Sequence, residues 1–314
     1  MYRQEHSHEV VEADMTQRPV RTKHGAKPIW LKKRFPSGAV HEEVGALISK
    51  AKIHTVCQKA QCPNIWECFS RKTATFMIMG DRCTRNCRFC AVAHGPRHPP
   101  DPNEPLRVAE TVMRLNLDYV VITSVTRDDL SDGGAFFFVR TIDEIRKKVP
   151  DALIELLIPD LQGNKEALKS IVGAHPNVLN HNIETVPRLY PVVRPEAVYR
   201  RSLDLLKQMI AFDPDIVTKS GLMLGLGENT QETLDTLKDL LKTGCRLLTL
   251  GQYLQPTKAH LPVKRFVPPW EFDNWRRIAL EMGFIEVACG PFVRSSYRAK
   301  KLYRRVRSSP NQSN

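Results

Sequence analysis

The sequence predicts an α/β fold, a partial (β/α)6 barrel in which six parallel strands alternate with helices. Six apolar runs with strand character follow one another from Thr75, and a stretch with helical periodicity separates each run from the next. Such alternation is typical of a parallel sheet. No Gly-x-Gly-x-x-Gly follows the first of these strands, which favours a barrel over a dinucleotide-binding fold. In a barrel of this kind the chemistry lies at the carboxyl ends of the strands.

The predicted elements follow in chain order. The strands are assigned to residues 75–79, 119–123, 153–158, 178–182, 216–224 and 247–252. The helices between them lie near 106–116, 134–148, 164–173, 197–211 and 229–242. A helix near 270–282 and a strand near 284–288 follow the barrel, and residues 40–52 are predicted to form a short amphipathic helix before it.

Length and composition are those of an ordinary globular protein. The chain has 314 residues, of which 42% are apolar, and this suffices for one large domain with extensions. No apolar run reaches the roughly 18 residues of a membrane span. The N-terminus lacks the apolar core of a signal peptide and carries acidic residues. We therefore expect a cytoplasmic protein that does not enter a membrane.

The formal charge of +13 predicts an anionic partner. It arises from 47 Lys and Arg against 34 Asp and Glu, and a basic balance favours nucleic acid, a membrane surface or an acidic protein as partner. Nucleic acid is disfavoured, because aromatic residues make up only 7% and are not interleaved with the basic runs. Part of the excess lies in residues 18–33 and 298–307, which are expected to be solvated.

Cysteines are unevenly distributed along the chain. Six of the eight fall between Cys57 and Cys90, and such clustering in a cytosolic chain indicates metal binding rather than disulfides. Cys245 and Cys289 stand alone beside apolar runs and are expected to be buried structural thiols.

The triplet Cys83, Cys87 and Cys90 directly follows the first predicted barrel strand. Cys thiolates hold iron–sulfur clusters, and a four-iron cube usually takes four of them. Three thiolates leave one iron open for a substrate or cosubstrate, as a catalytic metal site keeps an open position. A zinc knuckle with His94 as fourth ligand is the alternative reading of this spacing.

Cys-x3-Cys-x-Phe-Cys at residues 83–90 resembles the signature of the radical SAM enzymes. The resemblance implies a four-iron cluster whose open iron chelates S-adenosylmethionine (SAM). It also implies that the cluster cleaves SAM reductively, which gives a 5′-deoxyadenosyl radical. The cofactor carries such chemistry while the protein orients and shields it. Phe89 is expected to cover the purine of SAM.

A second triplet, Cys57, Cys62 and Cys68, has four and then five intervening residues. This spacing resembles the auxiliary-cluster motif of the lipoyl synthase family. Family resemblance then runs from about Val56 to Ala299, and its most specific segments are residues 63–68, 75–80, 125–130, 132–134, 180–185 and 290–297.

The resemblance implies insertion of two sulfur atoms, at C6 and C8 of an octanoyl chain on a lysine of a carrier domain. Two 4Fe-4S clusters are implied: one generates the radical, and the other is the sulfur source and is consumed. The family holds the second cluster with three cysteines and a serine of the Arg-Ser-Ser-Tyr motif at 294–297. We expect Ser296, rather than Ser295, to be that ligand beside Cys57, Cys62 and Cys68.

Contacts to SAM are predicted less directly. Thr123, Ser124, Asn182 and Glu184 follow barrel strands and are candidates to bind its polar groups. Helix capping is an alternative role for Asn182 and Glu184. A Gly-Gly-Glu segment, which other radical SAM proteins use for the SAM amino group, is absent after the second strand.

The domain organisation expected from these motifs has five parts. They are an N-terminal extension, partly flexible (1–50), the auxiliary-cluster segment (51–74), the radical SAM barrel (75–282), a C-terminal closing segment (283–299) and a basic flexible tail (300–314). Because a serine near the C-terminus must reach the second cluster, we expect the terminal extensions to close the barrel mouth.

The partners implied by the resemblance are octanoylated lipoyl carrier domains of 2-oxoacid dehydrogenases and the glycine cleavage H protein. An electron donor and an iron–sulfur carrier that rebuilds the consumed cluster are also implied. The resemblance implies no membrane partner and no nucleic-acid partner. Two alternatives remain at this point: another radical SAM sulfur-inserting enzyme, such as a biotin synthase or methylthiotransferase, and a zinc-containing basic protein that binds nucleic acid.

Overall fold

The computed structural model describes residues 27–32, 39–71 and 73–308. Its α-helices are Ala39–Lys50 (α1), Val56–Lys59 (α2), Ile65–Ser70 (α3), Glu104–Arg114 (α4), Ala135–Lys148 (α5), Lys165–Gly173 (α6), Tyr190–Val193 (α7), Tyr199–Phe212 (α8), Thr230–Lys242 (α9), Pro269–Met282 (α10) and Ala299–Ser308 (α11). Short 3-10 helices span Ile29–Leu31, Leu161–Gly163 and Pro187–Leu189.

The strands, in chain order, are His54–Thr55 (β1), Thr75–Ile78 (β2), Arg82–Cys83 (β3), Ala93–His94 (β4), Tyr119–Ser124 (β5), Leu153–Leu157 (β6), Val178–Asn180 (β7), Val217–Leu224 (β8), Leu247–Gln252 (β9) and Glu286–Gly290 (β10). The main sheet has eight strands in the order β1-β2-β5-β6-β7-β8-β9-β10, and β3 pairs with β4 separately. From β2 onwards every pairing in the main sheet is parallel. Sequential parallel strands joined by helices confirm the predicted partial barrel.

Two edge strands extend the six predicted ones. β1 pairs with β2 in antiparallel register, with His54 opposite Met77. The strand expected near 284–288 lies two residues later, as β10, and pairs parallel to β9 with Glu286 opposite Leu247. The segment after α10 therefore begins as a seventh parallel strand of the sheet.

Alternation along β5 separates the interior of the barrel from the layer of helices. Val120 and Ile122 belong to the main hydrophobic core, which contains the buried faces of the flanking helices. Tyr119 and Val121 instead pack with Ala299 in a separate cluster. Successive strand residues point to opposite faces, so Tyr119 and Val121 face the barrel interior.

A buried ion pair crosses the barrel interior. Lys219 Nζ of β8 lies 2.7 Å from Glu155 Oε1 of β6, and the side chains are 0% and 1% exposed. The Tyr119 hydroxyl donates to Glu155 Oε2 at 2.6 Å, and burial together with that carboxylate raises the Tyr119 pKa. Mutual pairing is what makes two buried charges tolerable there.

The structure corrects the expectation of a basic flexible tail from residue 300, as far as residue 308. Residues 299–308 form α11, whose Leu302 and Val306 are buried. Val306 packs against Val178, Val217 and Leu247, at or near the amino ends of three strands. The basic residues of this stretch occupy the remaining face of an amphipathic helix, so its apolar positions close the amino end of the barrel.

Most of the N-terminal extension expected to be flexible lies outside the described residues, whereas residues 39–50 form α1. In the described part of the chain no helix has both the length and the apolarity needed to cross a membrane.

Candidate functional site

The loop that carries Cys83, Cys87 and Cys90 leaves the carboxyl end of β2. Met79 and Gly80, directly after this strand, have φ values of 67° and 89°, and so turn the chain sharply through the left-handed region. Cys83 Sγ accepts hydrogen bonds from the amides of Arg85 at 3.4 Å and Thr126 at 3.3 Å. These two contacts hold the Cys83 sulfur between the start of the loop and the segment that follows β5.

Arg85, between the first two cysteines of this loop, is anchored by two carboxylates. Its Nε and Nη2 donate to both oxygens of Asp128 at 2.7 and 2.9 Å, and Nη2 also donates to Asp160 at 2.5 Å. Arg85 is 5% exposed and Asp160 is fully buried. The cysteine loop is thus held to the segments after β5 and β6 by charged hydrogen bonds, which are the strong ones.

Burial dominates the acidity of two thiols in the loop. Desolvation raises the pKa of Cys87 to about 11, although Arg194 nearby opposes the shift. It raises the pKa of Cys90 to about 12, with the neighbouring Cys87 and Cys83 adding to it. Metal binding displaces the proton from such a thiol, so these cysteines are inert until a metal binds.

Two of the predicted SAM-binding residues, Asn182 and Glu184, lie beside this loop. Glu184 contributes to the electrostatics of both Cys87 and Cys90, and Asn182 Nδ2 donates to Glu184 at 3.1 Å. Glu184 has φ of 68°, a strained conformation that clusters at functional sites. Thr123 differs, because its hydroxyl donates to the Leu157 carbonyl at 2.9 Å and so ties two strands together.

Five buried polar atoms at the end of β5 or at and after the end of β7 lack hydrogen-bond partners among the described residues. They are Ser124 Oγ, Asn180 Oδ1, Asn182 Oδ1, Thr185 Oγ1 and Arg194 Nε. Arg194 is 8% exposed, and its Nη1 donates to the carbonyls of Asn182 and Ile183 at 2.9 and 3.2 Å. Buried polar groups are normally paired, so unpartnered ones beside a reactive loop fit a polar small molecule.

Phe89 lies half-buried against an apolar cluster of Val193, Leu226 and Tyr253. The Arg88 amide donates to the Val193 carbonyl at 2.9 Å, which holds the cysteine loop against the same cluster. The ring position is therefore fixed by packing next to Cys87 and Cys90.

The second triplet lies between β1 and β2, on two short helices and the turn that joins them, and Cys62 is in that turn. Cys57 lies in α2, which Thr55 caps through its side chain, and Cys68 lies in α3. The Cys62 amide donates to the Cys57 carbonyl at 3.0 Å. Burial raises the pKa of Cys57 to about 11, and the nearby Cys62 adds to the shift. Cys57 and Cys62 thus lie close enough to act on one another.

The C-terminal segment folds back onto these helices. Asn64 Nδ2 donates to the Phe292 carbonyl at 2.6 Å, and the Tyr297 hydroxyl donates to Glu67 at 3.1 Å. Ser296 and Cys68 line the same cavity, whose volume is about 460 Å³. A serine distant in sequence is thereby brought to the wall that carries a cysteine of the second triplet.

The two serines of the motif have different surroundings. Asn182 Nδ2 donates a hydrogen bond to Ser295 Oγ, whereas Ser296 faces the cavity that Cys68 lines. Ser295 is therefore bonded to a residue that follows β7, whereas Ser296 belongs to the cavity lining that also contains Cys68.

Arg294 was not singled out as a site residue from the sequence, yet it lies between the two cysteine sets. Its charge interacts with Cys62 on one side and Glu184 on the other, and burial lowers its pKa. A side chain on Gly251 would lie 2.2 Å from the Val293 carbonyl and 3.3 Å from Arg294 Nη1. Glycine at the carboxyl end of β9 is what admits this segment to the barrel mouth.

Among the described residues, no three Cys, His, Asp or Glu side chains converge tightly enough to hold a single metal ion. Cys83 and His94, the pair considered for zinc, are partners in the short β3–β4 pairing, and His94 is exposed.

Comparison with known proteins identifies the family. Residues 77–240 match the model of the radical SAM superfamily. A lipoyl synthase of Desulfotalea psychrophila is 60% identical over 280 residues, covering 89% of this chain and 94% of the relative. That of Alkaliphilus metalliredigens is 52% identical, covering 87% of this chain and 94% of its own length.

Solved structures agree on the fold. The crystal structure of HydG, a maturase of the [FeFe]-hydrogenase, superposes with a TM-score of 0.55 at 14% identity, covering 85% of this chain and 67% of that one. Streptococcus suis SuiB bound to its precursor peptide gives 0.53 at 9% identity, covering 77% of this chain and 49% of that one. With relatives 50–60% identical over nearly its whole length, the chain belongs to the lipoyl synthase family of the radical SAM superfamily.

Proposed function

We propose that this enzyme inserts sulfur at C6 and C8 of a protein-bound octanoyl-lysine and that its two cysteine triplets hold two separate four-iron clusters. The observation that carries the proposal is the common cavity wall of Cys68 and Ser296. It supports a fourth, non-thiolate ligand for the second triplet. When bound, SAM and the first cluster would supply a radical that abstracts hydrogen atoms from carbon, and the second cluster would supply sulfur.

Cys83, Cys87 and Cys90 are the proposed ligands of the radical cluster. They lie on a loop that Arg85 fixes through Asp128 and Asp160, so the three sulfurs are presented without a fourth protein ligand from the loop. This donor set fits a cluster with one open iron.

The proposed SAM site lies beside that loop. Ser124, Asn182 and Arg194 each offer a buried polar atom that no described residue satisfies, and Glu184 is their acidic neighbour. SAM has a carboxylate, an amino group and ribose hydroxyls that such atoms would bind. Arg194 suits the carboxylate because guanidinium pairs well with it. Thr123 positions strands instead, and Phe89 is the proposed cover of the purine.

Cys57, Cys62, Cys68 and Ser296 are the proposed ligands of the auxiliary cluster. An alkoxide is a harder ligand than a thiolate and suits a cluster of soft ligands less well. The iron bound by Ser296 is therefore expected to be the one released most readily when sulfur leaves. Arg294, beside Cys62, places a positive charge next to this site.

The closing segment is proposed to shield the reaction. Asn64 bonds to Phe292, and Tyr297 bonds to Glu67, so the C-terminal segment is fastened across the front of the barrel. Expelling water from a site prevents side reactions of reactive intermediates. A radical generated beside Cys83 would then meet substrate before solvent.

We also propose the partners of the enzyme and the compartment in which it acts. The basic charge of the enzyme suits acidic partners, and the proposed ones are the lipoyl carrier domains of 2-oxoacid dehydrogenases and the glycine cleavage H protein. An electron donor and an iron–sulfur carrier complete the proposed set of partners. The proposed compartment is the cytoplasm, where reduced thiols persist.

The test is anaerobic incubation of the reconstituted enzyme with SAM, a reductant and an octanoyl-lysyl peptide, followed by mass spectrometry. We expect a product that has gained two sulfur atoms, together with 5′-deoxyadenosine. Formation of 5′-deoxyadenosine without any sulfur-containing peptide would contradict the proposed sulfur insertion.

A further inference from the structure

The cavity that Cys68 and Ser296 line also has an apolar wall and a basic rim, and the proposed cluster site gives neither of them a role. One wall is apolar and includes Leu115, Leu117 and Val121. Val121 and Tyr119, also on this wall, face the barrel interior. The cavity therefore lies where the chain enters β2 and β5, beside the first turn of α11. Its volume of about 460 Å³ lies within the range of about 300–1,000 Å³ for ligand pockets.

The rim of this cavity is basic. Arg71, Arg114, Arg298 and Lys300 line it, against Glu67 and Asp118 as the acidic residues. The side chains of Arg71 and Arg298 are 59% and 50% exposed. Arg114 is exposed and makes no ion pair with any residue that the structure describes. Glu67 pairs with both Arg71 and Arg298, and Asp118 pairs with Lys300. Four cations against two carboxylates therefore leave a net positive rim, on which Arg114 is the cation without an ion pair to a described residue.

We propose that this cavity is the port through which the substrate's acyl chain enters, and that Arg71, Arg114 and Arg298 bind the acidic surface of the protein domain carrying it. The inference rests on the proposed function and assigns it a docking surface. An apolar wall suits an acyl chain, and a basic rim suits an acidic domain that must approach closely. Cys68 and Ser296 on the wall place the proposed sulfur source beside the entering chain.

The first experiment reverses the charge of the rim. In the triple variant Arg71→Glu/Arg114→Glu/Arg298→Glu we expect the Kd for an octanoylated, acidic lipoyl domain to rise by about tenfold or more at low salt. Calorimetry without SAM measures it independently of turnover. The KM for an uncharged octanoyl-lysyl peptide should rise by a much smaller factor than the Kd for the domain, because the peptide has no acidic surface.

The matched control is Lys165→Glu/Lys169→Glu/Lys207→Glu. These lysines are exposed on α6 and α8, away from the cavity, and make no ion pair with a described residue. The control changes net charge equally, so it should weaken domain binding much less than the rim variant. Equal weakening in both variants, or none in the rim variant, overturns the docking surface.

The second experiment blocks the port. Thr73 is exposed on the cavity lining, and Thr73→Trp should slow sulfur insertion into both domain and peptide, while 5′-deoxyadenosine formation without substrate continues. Ser170→Trp, exposed on α6, is the control for the bulky side chain, and thermal melting verifies that both variants fold. Wild-type turnover of the peptide by folded Thr73→Trp would show that the chain enters elsewhere.

The proposed function and the proposed docking surface can fail separately. If the wild type makes no sulfur-containing product from either domain or peptide, the proposed function is wrong. If the wild type converts both, but the rim and port variants behave as their controls do, only the docking surface and the port are wrong.

Discussion

Asn182 Nδ2 donates a hydrogen bond to Ser295 Oγ, and this contact joins the carboxyl end of β7 to the C-terminal segment. It leaves Ser296, the next residue, on the cavity wall that Cys68 lines. The two adjacent serines therefore have different surroundings. Ser295 fastens the segment to the carboxyl end of β7, and Ser296 lines a cavity together with one cysteine of the second triplet.

Replacing each serine separately distinguishes these tasks. In Ser296→Ala we expect sulfur insertion to fall by more than about 100-fold, because loss of a direct ligand should cost more than the roughly 10- to 100-fold seen for loss of groups that support a ligand. SAM cleavage should continue, because the first triplet is intact. Ser295→Ala should keep most activity and lose about 1 kcal/mol of stability, the usual worth of one hydrogen bond.

Product mass and 5′-deoxyadenosine, measured together, decide between the two serines. An inactive Ser295→Ala beside a normally active Ser296→Ala would reverse the assignment, and full activity of both would remove serine from the ligand set.

The two cysteine triplets should separate by metal content and by reaction. In Cys62→Ala we expect iron and sulfide to fall by about half, because one of two four-iron clusters is lost, and 5′-deoxyadenosine should still form without sulfur insertion. Cys87→Ala should lose a similar share of iron and make no 5′-deoxyadenosine. Iron analysis and chromatography measure both. A Cys87→Ala enzyme that cleaves SAM at the wild-type rate contradicts the first assignment.

Asp160 should be a stability determinant of the cysteine loop. Burial raises its pKa, but hydrogen bonding and the charge of Arg85 outweigh this and lower the pKa to about 2. Asp160→Asn leaves Arg85 buried with one carboxylate, so unfolding free energy should fall by about 3 kcal/mol, the lower end for breaking a buried pair. Glu281→Gln, in an exposed pair with Arg277, should cost less than about 0.5 kcal/mol.

Urea unfolding of the apoprotein measures both variants. Asp160→Asn should also bind less iron during reconstitution, because the loop loses its anchor. Equal stability of the two variants would mean that Asp128 alone is sufficient to hold Arg85.

His181 should make stability depend on pH. Its Nδ1 lies 2.8 Å from the Ile158 carbonyl and therefore donates, so its Nε2 accepts from the Ser202 hydroxyl at 2.9 Å. Burial, with the charge of Arg194, lowers its pKa to about 4. The unfolded chain takes up a proton below about pH 6.5 while the native state does not, so stability falls between pH 6.5 and 4 by about 3 kcal/mol.

Comparison with His181→Gln isolates this contribution, since the other titrating groups are common to both proteins. Unfolding free energies at pH 7 and pH 4.5 should drop more steeply in the wild type than in the variant. Parallel pH profiles would show that His181 is protonated at similar pH in the folded and unfolded states.

The sequence by itself determined the fold class and the strand order. The apolar runs located the six barrel strands to within a residue or two, because parallel strands that are buried on both faces consist of nearly continuous apolar residues. The spacing of Cys83, Cys87 and Cys90 determined where the reactive loop lies, because it follows a strand directly. Both signals are local, and so both can be seen in the order of residues.

Periodicity did not reveal α11, which was expected to be a polar tail. Its buried residues, Leu302 and Val306, are few among many basic ones, and they become decisive only because the amino end of a barrel needs covering. The Lys219–Glu155 pair was equally hidden, because its partners lie on different strands and neither residue type predicts full burial.

Only the tertiary structure decided how Ser295 and Ser296 differ. The two residues are identical and adjacent, so no pattern in the sequence separates them. Their surroundings come from Asn182 on one side and from α3 on the other, and both neighbours are distant along the chain. Hydrogen bonds and cavity walls act through space over a few ångströms, which is why folding was needed to distinguish a fastening serine from a candidate ligand.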